Sequence, residues 1–546
     1  MHFDIRACMP QRALLAVLAL VISSTVPAAE DPPLAAAPLA ADAATAAKQN
    51  KFDINEFRVL GNTVLPQRDV ERAVYPFLGS GRDIDTVQKA ADALTKAYKD
   101  AGFGTVFVDI PEQTVDDGIV RLKVTEGKLE RVRIRGARYF SGRQILEALP
   151  ALEAGQTPHL TSLQDELTAL NAKTADRSIT PVLKAGVEPG TVDVDLAVKD
   201  TLPFHASVQV DNRHTADTTP NRVTVSLGYD NLWQRQDSIS LMYQTAPANT
   251  ANDEVESATY LAHIRDGLAA FSYLHTNSNV LALNTLGVLG KGRIYGAHWL
   301  QPITNTVESS QSLTLGVDYK DVQTLVFPDS TTSAAPVTAP VHYLNWTAAY
   351  SHIWRAPTHT FGVTGSIGFG IRGLIDTQAE FENARFNGTP GYFYLRFSGD
   401  GLQTLPAGFA LQAKLTSQWS MDPLVNNEQF SLGGQDTVRG YLEAEALVDT
   451  GAAGTLEVHS PQLGAHLGSM LRPLYIFGFV DAGVGTLIDP LASQDAKFHL
   501  WSTGVGLRLE NSSGLSGSVD YAIPERNGSR TRKHDGRVDF SLRYGF

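Results

Sequence analysis

From Pro203 to Phe546 the chain is a series of segments of roughly ten residues in which apolar and polar side chains alternate, with turn residues between them. Val223, Val225, Leu227 and Tyr229 alternate with Thr224, Ser226 and Gly228. Ile239, Leu241 and Tyr243 do the same, as do Leu344, Trp346, Ala348 and Tyr350. At the end of the chain Val538, Phe540, Leu542, Tyr544 and Phe546 alternate with Asp539, Ser541, Arg543 and Gly545. A period of two places each set on one face of a β-strand. About sixteen such segments fit between 203 and 546, and no helical period interrupts them. A soluble sandwich would turn the apolar face inward, whereas a membrane barrel turns it to lipid and lines its lumen with polar and small residues. Segment length favours the barrel, because ~9–11 residues make one tilted crossing. So does the second face, rich in Gly, Ser, Asp and Arg, with aromatics near the segment ends. An even strand number leaves no edge unpaired and returns both chain ends to one side.

The N-terminus supplies the route to a membrane. Arg6 and Arg12 flank the start of an apolar run, Ala13 to Ile22, followed by the small residues of SSTVPAAE. Such a run is too short to cross ~30 Å of hydrocarbon and fits a secretory signal over residues 1–28. Residues 29–51 are Ala- and Pro-rich, and read as a linker or a short plug helix. No later apolar run approaches the ~20 residues of a membrane helix. The single cysteine, Cys8, precedes the apolar run, so the exported chain is expected to have no disulfide and no thiol chemistry. The net charge of −13 argues against a nucleic-acid partner, which calls for clustered Lys and Arg.

Between the signal and the alternating region a β-α-α-β-β pattern occurs twice, over 52–126 and 127–201. In the first copy FDINEFRVLGN reads as a strand, helical spacing follows around Val70, Ala73, Val74 and Phe77, and a longer helix runs from about Asp83 to Ala101. GTVFVDI and GIVRLKVTEG close it. The second copy repeats this with LERVRIRGARYF, two shorter helices, PVLKAGV and TVDVDLAVKD, and Gly136 falls 75 positions after Gly61. Repetition at a fixed period marks duplicated units.

The densest constellation lies between the eleventh and twelfth alternating segments. Residues 421–452 are too long for an ordinary turn and carry Gly433-Gly434, then Val438-Arg439-Gly440-Tyr441, then Asp449. The strand LYIFGFVDAGVGTL that comes later contains Phe479-Val480-Asp481-Ala482-Gly483.

VRGY followed by an FxDxG strand resembles the signature of the outer-membrane polypeptide-transport barrels, the superfamily that includes the barrel-assembly factor. The duplicated units resemble polypeptide-transport-associated (POTRA) domains. Two of them before a sixteen-stranded barrel are similar to the TpsB transporters of two-partner secretion. IPEQTVDDGIVRLKVTEG, with Pro111, Gln113, Gly118 and Gly127, fits the same pattern. The resemblance covers residues 52–546. It implies a mainly β fold, a transmembrane antiparallel barrel of about sixteen strands (202–546) preceded by two α+β POTRA domains. It also implies that loop 421–452 folds back into the barrel and that Arg439 at its tip meets Asp481 on the inner wall, with Val438, Gly440, Tyr441, Gly434, Phe479 and Gly483 as supporting positions. A guanidinium suits that role because its planar fork binds a carboxylate through two bonds. The plain alternative is an Arg439 solvated in a surface loop. Asp449 reads either as a loop contact or as an exposed charge, and the terminal Phe546 resembles the C-terminal mark read by the barrel-assembly machinery.

No catalytic constellation is present in the sequence: there is no GxxxxGK[ST], HExxH or GxSxG. Gly368, Gly370 and Gly373 match GxGxxG in form, but the region alternates as a strand and no helical pattern follows. The fourteen His residues are scattered. The expectation is therefore a pore without enzyme activity, cofactor or metal, in the outer membrane with residues 52–201 in the periplasm. It would take a secreted partner exoprotein through the barrel, with the assembly machinery and membrane lipid as further partners. A barrel-protein insertase and a solute porin are the alternatives.

Overall fold

A computed structural model describes residues 51–216, 218–250, 253–277, 290–326, 337–464, 471–492 and 494–546. The expectations for the signal 1–28 and for the linker or plug helix lie outside the described residues, except for Lys51. The chain divides between Leu202 and Pro203.

The N-terminal part holds two units of one topology. In the first, strand Glu56–Leu60 runs parallel to Ile119–Glu126, which pairs antiparallel with Val106–Asp109. Helices Gln67–Val74 and Ile84–Asp100 bury their apolar stripes against this sheet. The longer helix starts where the Asp83 carboxylate accepts the Thr86 N–H at 2.9 Å. Its buried positions are Val87, Ala90, Ala91, Leu94 and Tyr98, the five spaced as the sequence requires. Phe77 is not part of the first helix. Pro76 follows Tyr75, and the chain tightens into a 3₁₀ turn, Tyr75–Phe77. In the second unit Lys128–Arg135 runs parallel to Thr191–Asp200, which pairs antiparallel with Arg177–Ala185, under helices Gly142–Glu147 and Leu160–Ala172.

The duplication extends to atoms. Gly61 and Gly136 end the first strand of each unit at φ +90° and +87°, and a Cβ there would lie 2.4 and 2.3 Å from the carbonyl oxygens of Val124 and Val198. Glycine is needed for both the left-handed turn and the close approach. After each glycine, a carboxylate from the closing strand caps the turn. Glu126 accepts the Thr63 and Val64 N–H groups at 2.6 and 3.0 Å, and Asp200 accepts those of Arg138, Tyr139 and Phe140 at 2.8, 2.7 and 3.1 Å. The first unit differs by a two-stranded sheet, Phe52–Ile54 with Gly79–Arg82. The strand expected from 52 onward breaks at Asn55, whose N–H bonds to the Gly118 carbonyl at 2.7 Å. Gln113 stands in for a strand residue: its amide accepts the Arg121 N–H at 2.7 Å and donates to the Arg121 carbonyl at 2.8 Å.

From Phe204 the chain forms one closed barrel of sixteen antiparallel strands. The first, Phe204–Asp211, pairs with the second, Arg222–Leu232, and with the last, Arg537–Gly545. Phe546 extends the closure: its N–H bonds to the Ala206 carbonyl and its carbonyl accepts the Ala206 N–H, both at 2.9 Å. The apolar set of each strand faces out, as at Val225, Leu227, Leu241, Tyr243, Leu542 and Tyr544, all exposed on the barrel wall. Several strands exceed the expected length. Ser309–Val326, Val337–Ala356 and Leu471–Thr486 have 18, 20 and 16 residues, because hairpin pairing continues beyond one crossing. The apolar residues Val322, Val341 and Tyr343 on these extensions are buried on the inner face.

The sequence motifs on the barrel take structural places. Gly368 and Gly370 end strand His359–Gly370, where a Cβ would collide with the Tyr394 ring or the Pro390 carbonyl, each 2.1 Å away. They make room for the connection 371–392, which carries the helix Gln378–Ala384. The longest connection joins the eleventh strand, Ala410–Ser420, to the twelfth, Thr450–His459, and so spans 421–449. It contains a small hairpin, Phe430–Leu432 with Ala446–Val448.

Candidate functional site

Period-two geometry places Phe479, Asp481, Gly483 and Gly485 on one face of strand Leu471–Thr486, and that face is buried while Val480 and Val484 are exposed on the other. The loop 421–449 lies against it. A Cβ at Gly483 would come within 2.8 Å of Leu432 and 2.9 Å of Val438, and one at Gly485 within 2.6 Å of Val448. The glycines therefore leave a shallow lane in the wall that the loop's apolar side chains fill. Leu432, Val438, Tyr441 and Val448 form a closed cluster there with Leu500.

The loop tip carries Arg439 to Asp481. Nε and Nη2 of the guanidinium meet Oδ2 and Oδ1 at 2.7 and 2.8 Å, and the Arg439 backbone N–H adds a third bond to Oδ2 at 3.0 Å. This is the two-pronged geometry that guanidinium and carboxylate favour. The remaining prong, Nη1, donates to Glu457 Oε1 at 2.8 Å. Glu457 lies on strand Thr450–His459, directly opposite Phe479 in the register. Its second oxygen faces His459 Nε2 at 2.8 Å and Arg508 Nη1 at 3.4 Å. Phe479 supplies the floor, with its ring centroid 3.5 Å from the guanidinium carbon. Arg439, Asp481 and Glu457 are all buried. The tip is a buried cation between two wall carboxylates and an aromatic face, and removal of one partner leaves an uncompensated charge at a cost of roughly 3–5 kcal/mol.

The positions beside Arg439 hold it in this pose. Gly440 has φ +88°, and a Cβ there would sit 3.2 Å from Ala522. Tyr441 donates to the Arg526 carbonyl at 2.9 Å and lies 3.1 Å from that of Trp501. Gly434, at φ +102°, leaves space for the Glu443 carboxylate, which a Cβ would meet at 2.1 Å. Asp449 is a fully buried contact. It accepts the N–H groups of Leu424 and Ile488 at 2.9 and 2.7 Å, the Gln429 amide at 2.9 Å and Arg385 Nη2 at 3.2 Å. Three further loop carboxylates reach neighbouring connections. Glu443 accepts Arg213 Nε at 3.0 Å, and Asp436 pairs with the same Arg213. Glu445 accepts the Thr531 N–H and hydroxyl, each at 2.8 Å.

Sequence reasoning singles out Arg439, Asp481 and their motif neighbours but neither Glu457 nor Arg385. Alternation does place Glu457 and His459 on the inward face of TLEVHS. That they meet Arg439 follows only from the strand register.

These features have counterparts among known proteins. The family model described as "Haemolysin secretion/activation protein ShlB/FhaC/HecB" matches residues 190–509, and that of the "POTRA domain, ShlB-type" matches 52–127. The Outer membrane transporter CdiB of Dickeya dadantii (strain 3937) is 23% identical over 435 residues, covering 76% of this chain and 73% of that protein. The CdiB of Escherichia coli O6:K15:H31 (strain 536 / UPEC) is 21% identical over 404 residues, 72% of this chain and 66% of that protein. The solved structure of CdiB from Escherichia coli superposes with a TM-score of 0.59 at 17% identity, covering 93% of each chain. BamA from Haemophilus ducreyi lacking POTRA domains 1–3 superposes at 0.56 and 13% identity, covering 91% of this chain and all of that one. The structural likenesses establish the fold alone, since one barrel serves both of those proteins. The family match, over more than half of the chain, separates the insertase and porin alternatives from the transporter. The chain belongs to the ShlB/FhaC/HecB family of haemolysin secretion/activation proteins, the outer-membrane transporters of two-partner secretion.

Proposed function

We propose that loop 421–449 is the gate of this transporter and that the Arg439 contact with Asp481 and Glu457 is its lock. The partner exoprotein reaches the periplasm unfolded and docks on the two N-terminal units. It then passes through the barrel lumen once the loop has left the wall. The observation that carries this reading is the buried, bidentate Arg439–Asp481 pair at the tip of a loop packed onto the inner wall. Docking by strand addition is supported by open sheet edges. Among the described residues, Glu56–Leu60 pairs only with Ile119–Glu126, and Lys128–Arg135 pairs as a strand only with Thr191–Asp200. An added strand gains main-chain hydrogen bonds with little demand on its sequence.

The reading includes no catalysis, cofactor or metal of the chain's own, in keeping with a sequence that carries no nucleotide or hydrolase motif. Folding of the exoprotein outside the cell then supplies the drive. Phe546 is read as the mark for the barrel-assembly machinery, supported by an exposed ring beside Tyr544 on the outer face, where lipid lies. The test places a photo-reactive residue at Arg58 and follows a secreting cell. Cross-linking to an exported polypeptide, together with loss of that polypeptide from the medium when the chain is absent, is the expected result. An exoprotein secreted at an unchanged level without this chain overturns the reading.

A further inference from the structure

Besides its ion pairs with neighbouring connections, loop 421–449 makes a second buried ionic contact with the barrel wall, of opposite polarity to the one at its tip. The Glu428 carboxylate is fully buried and accepts three strong donors: Lys320 Nζ at 2.5 Å, the Tyr343 hydroxyl at 2.7 Å and the Tyr394 hydroxyl at 2.9 Å. Those donors come from three wall strands, Ser309–Val326, Val337–Ala356 and Phe393–Thr404. The Glu428 carbonyl is held as well, by Arg396 Nη2 and Gln418 Nε2, each at 3.0 Å. Just before it in the chain, Leu424 and Val425 pack with Phe381 and Ala384 of the helix Gln378–Ala384. At the tip the loop offers a cation to wall carboxylates. Here it offers an anion to a wall ammonium and two phenols.

The chemistry suits a contact that must part. A buried ion pair adds little net stability compared with an apolar filling of the same volume. Its separated halves, however, are readily hydrated in a water-filled lumen, whereas parted apolar faces are not. We propose that Glu428 is a second latch of the loop, a positioning residue that acts through Lys320, Tyr343 and Tyr394, and that the loop leaves the wall only when the Glu428 and Arg439 contacts are both released. The helix Gln378–Ala384 moves with this arm of the loop. The inference rests on the gate reading given above.

The experiment measures channel opening in the full-length protein. It uses single-channel conductance in planar bilayers, and entry of a large hydrophilic antibiotic into cells at matched outer-membrane levels, with heat-modifiable migration reporting a folded barrel. Glu428→Ala and Lys320→Met are each expected to raise the open fraction about threefold or more. Their combination should open no further, because they remove the same pair. Glu428→Ala with Arg439→Ala should open at least tenfold, since it releases both ends. Glu428→Gln, which keeps the side-chain shape and the capacity to accept from the phenols, should fall between wild type and Glu428→Ala, and it stands in should the alanine variant fail to fold. If Arg439→Ala opens the channel while Glu428→Gln and Lys320→Met behave as wild type, the second latch is overturned and the gate reading stands. If neither Arg439→Ala nor the double variant opens it, the gate reading itself falls.

Discussion

Arg439 lies over the Phe479 ring, its guanidinium carbon 3.5 Å from the centroid, while Nε and Nη2 grip Asp481 two residues further along the same strand. One cation is thus read by a ring and a carboxylate on one strand face, and a desolvated contact of cation with aromatic ring is worth about 2 kcal/mol. Phe479→Leu should keep the wall apolar but lose the ring. The expected outcome is a channel that opens more often than wild type and less often than Arg439→Ala, read by conductance. Equal behaviour of Phe479→Leu and wild type would remove the ring from the lock.

Arg439→Ala and Asp481→Ala should each reduce secretion of the partner by about tenfold or more even though the channel opens more often, because a loop that no longer returns to the wall cannot couple opening to a docked exoprotein. Barrel insertion is retained, because neither residue faces lipid. The double variant should be little worse than either single one, since residues acting as a pair are non-additive by ~0.5–3 kcal/mol. Arg439→Lys should also be impaired, for an ammonium cannot span both carboxylate oxygens and Glu457. Fully additive loss in quantitative secretion assays would show that the two do not act together.

Glu457 makes the two single substitutions unequal. Arg439→Ala removes the guanidinium that Asp481 binds, while Glu457 keeps His459 and Arg508 beside it. Asp481→Ala leaves Arg439 still paired with Glu457. The barrel of Arg439→Ala should therefore unfold at a lower temperature than that of Asp481→Ala, by several degrees on heat-modifiable gels, in line with about 3–5 kcal/mol for an unpaired buried charge. The reverse order counts against a role for Glu457.

Gly483→Val tests the lane without touching a charge. Its side chain would press on Leu432 and Val438, whose atoms lie within 3 Å of a Cβ at this position. Overpacking of this kind costs roughly 1–3 kcal/mol. Antibiotic sensitivity should rise as for Arg439→Ala. Unchanged sensitivity in a folded barrel would mean that the loop does not need the lane.

Removal of residues 52–126 should abolish secretion while the barrel still inserts, because the closing contacts, Phe204–Asp211 with Arg537–Gly545 and the Phe546–Ala206 bonds, all lie outside the deleted segment. Secretion at the wild-type level by this deletion would show that the first unit is not needed for docking.

The parts legible in the sequence are those set by short periods. Alternation exposes the strands and their outer faces, and by itself it puts Phe479, Asp481 and Gly483 on one side of a strand. The helix Ile84–Asp100 is legible because Val87, Ala90, Ala91, Leu94 and Tyr98 follow the helical period and Asp83 can cap it. Glu457 and Asp449 are not legible in the same way. Glu457 meets Arg439 through the pairing of Thr450–His459 with Leu471–Thr486, which no local pattern announces. Asp449 can be read either way because two of its donors are backbone N–H groups, of Leu424 and Ile488, which have no sequence signature. The long strands escape a reading of the sequence because period two persists wherever a hairpin persists, in lipid or beyond it.

Loop 421–449 is tied to other connections as well as to the wall: Arg213 lies after the first strand, Arg385 and Ile488 in connections 371–392 and 487–496, and Thr531 in 525–536. All of these connections lie at the end of the barrel opposite Phe204 and Phe546, which faces the cell's surroundings. The loop can thus be handled from outside. A binder that clasps two of these connections would hold the passage shut without entering it, and arrest of secretion by such a binder, added to intact cells, would make the transporter open to control by molecules that never cross the membrane.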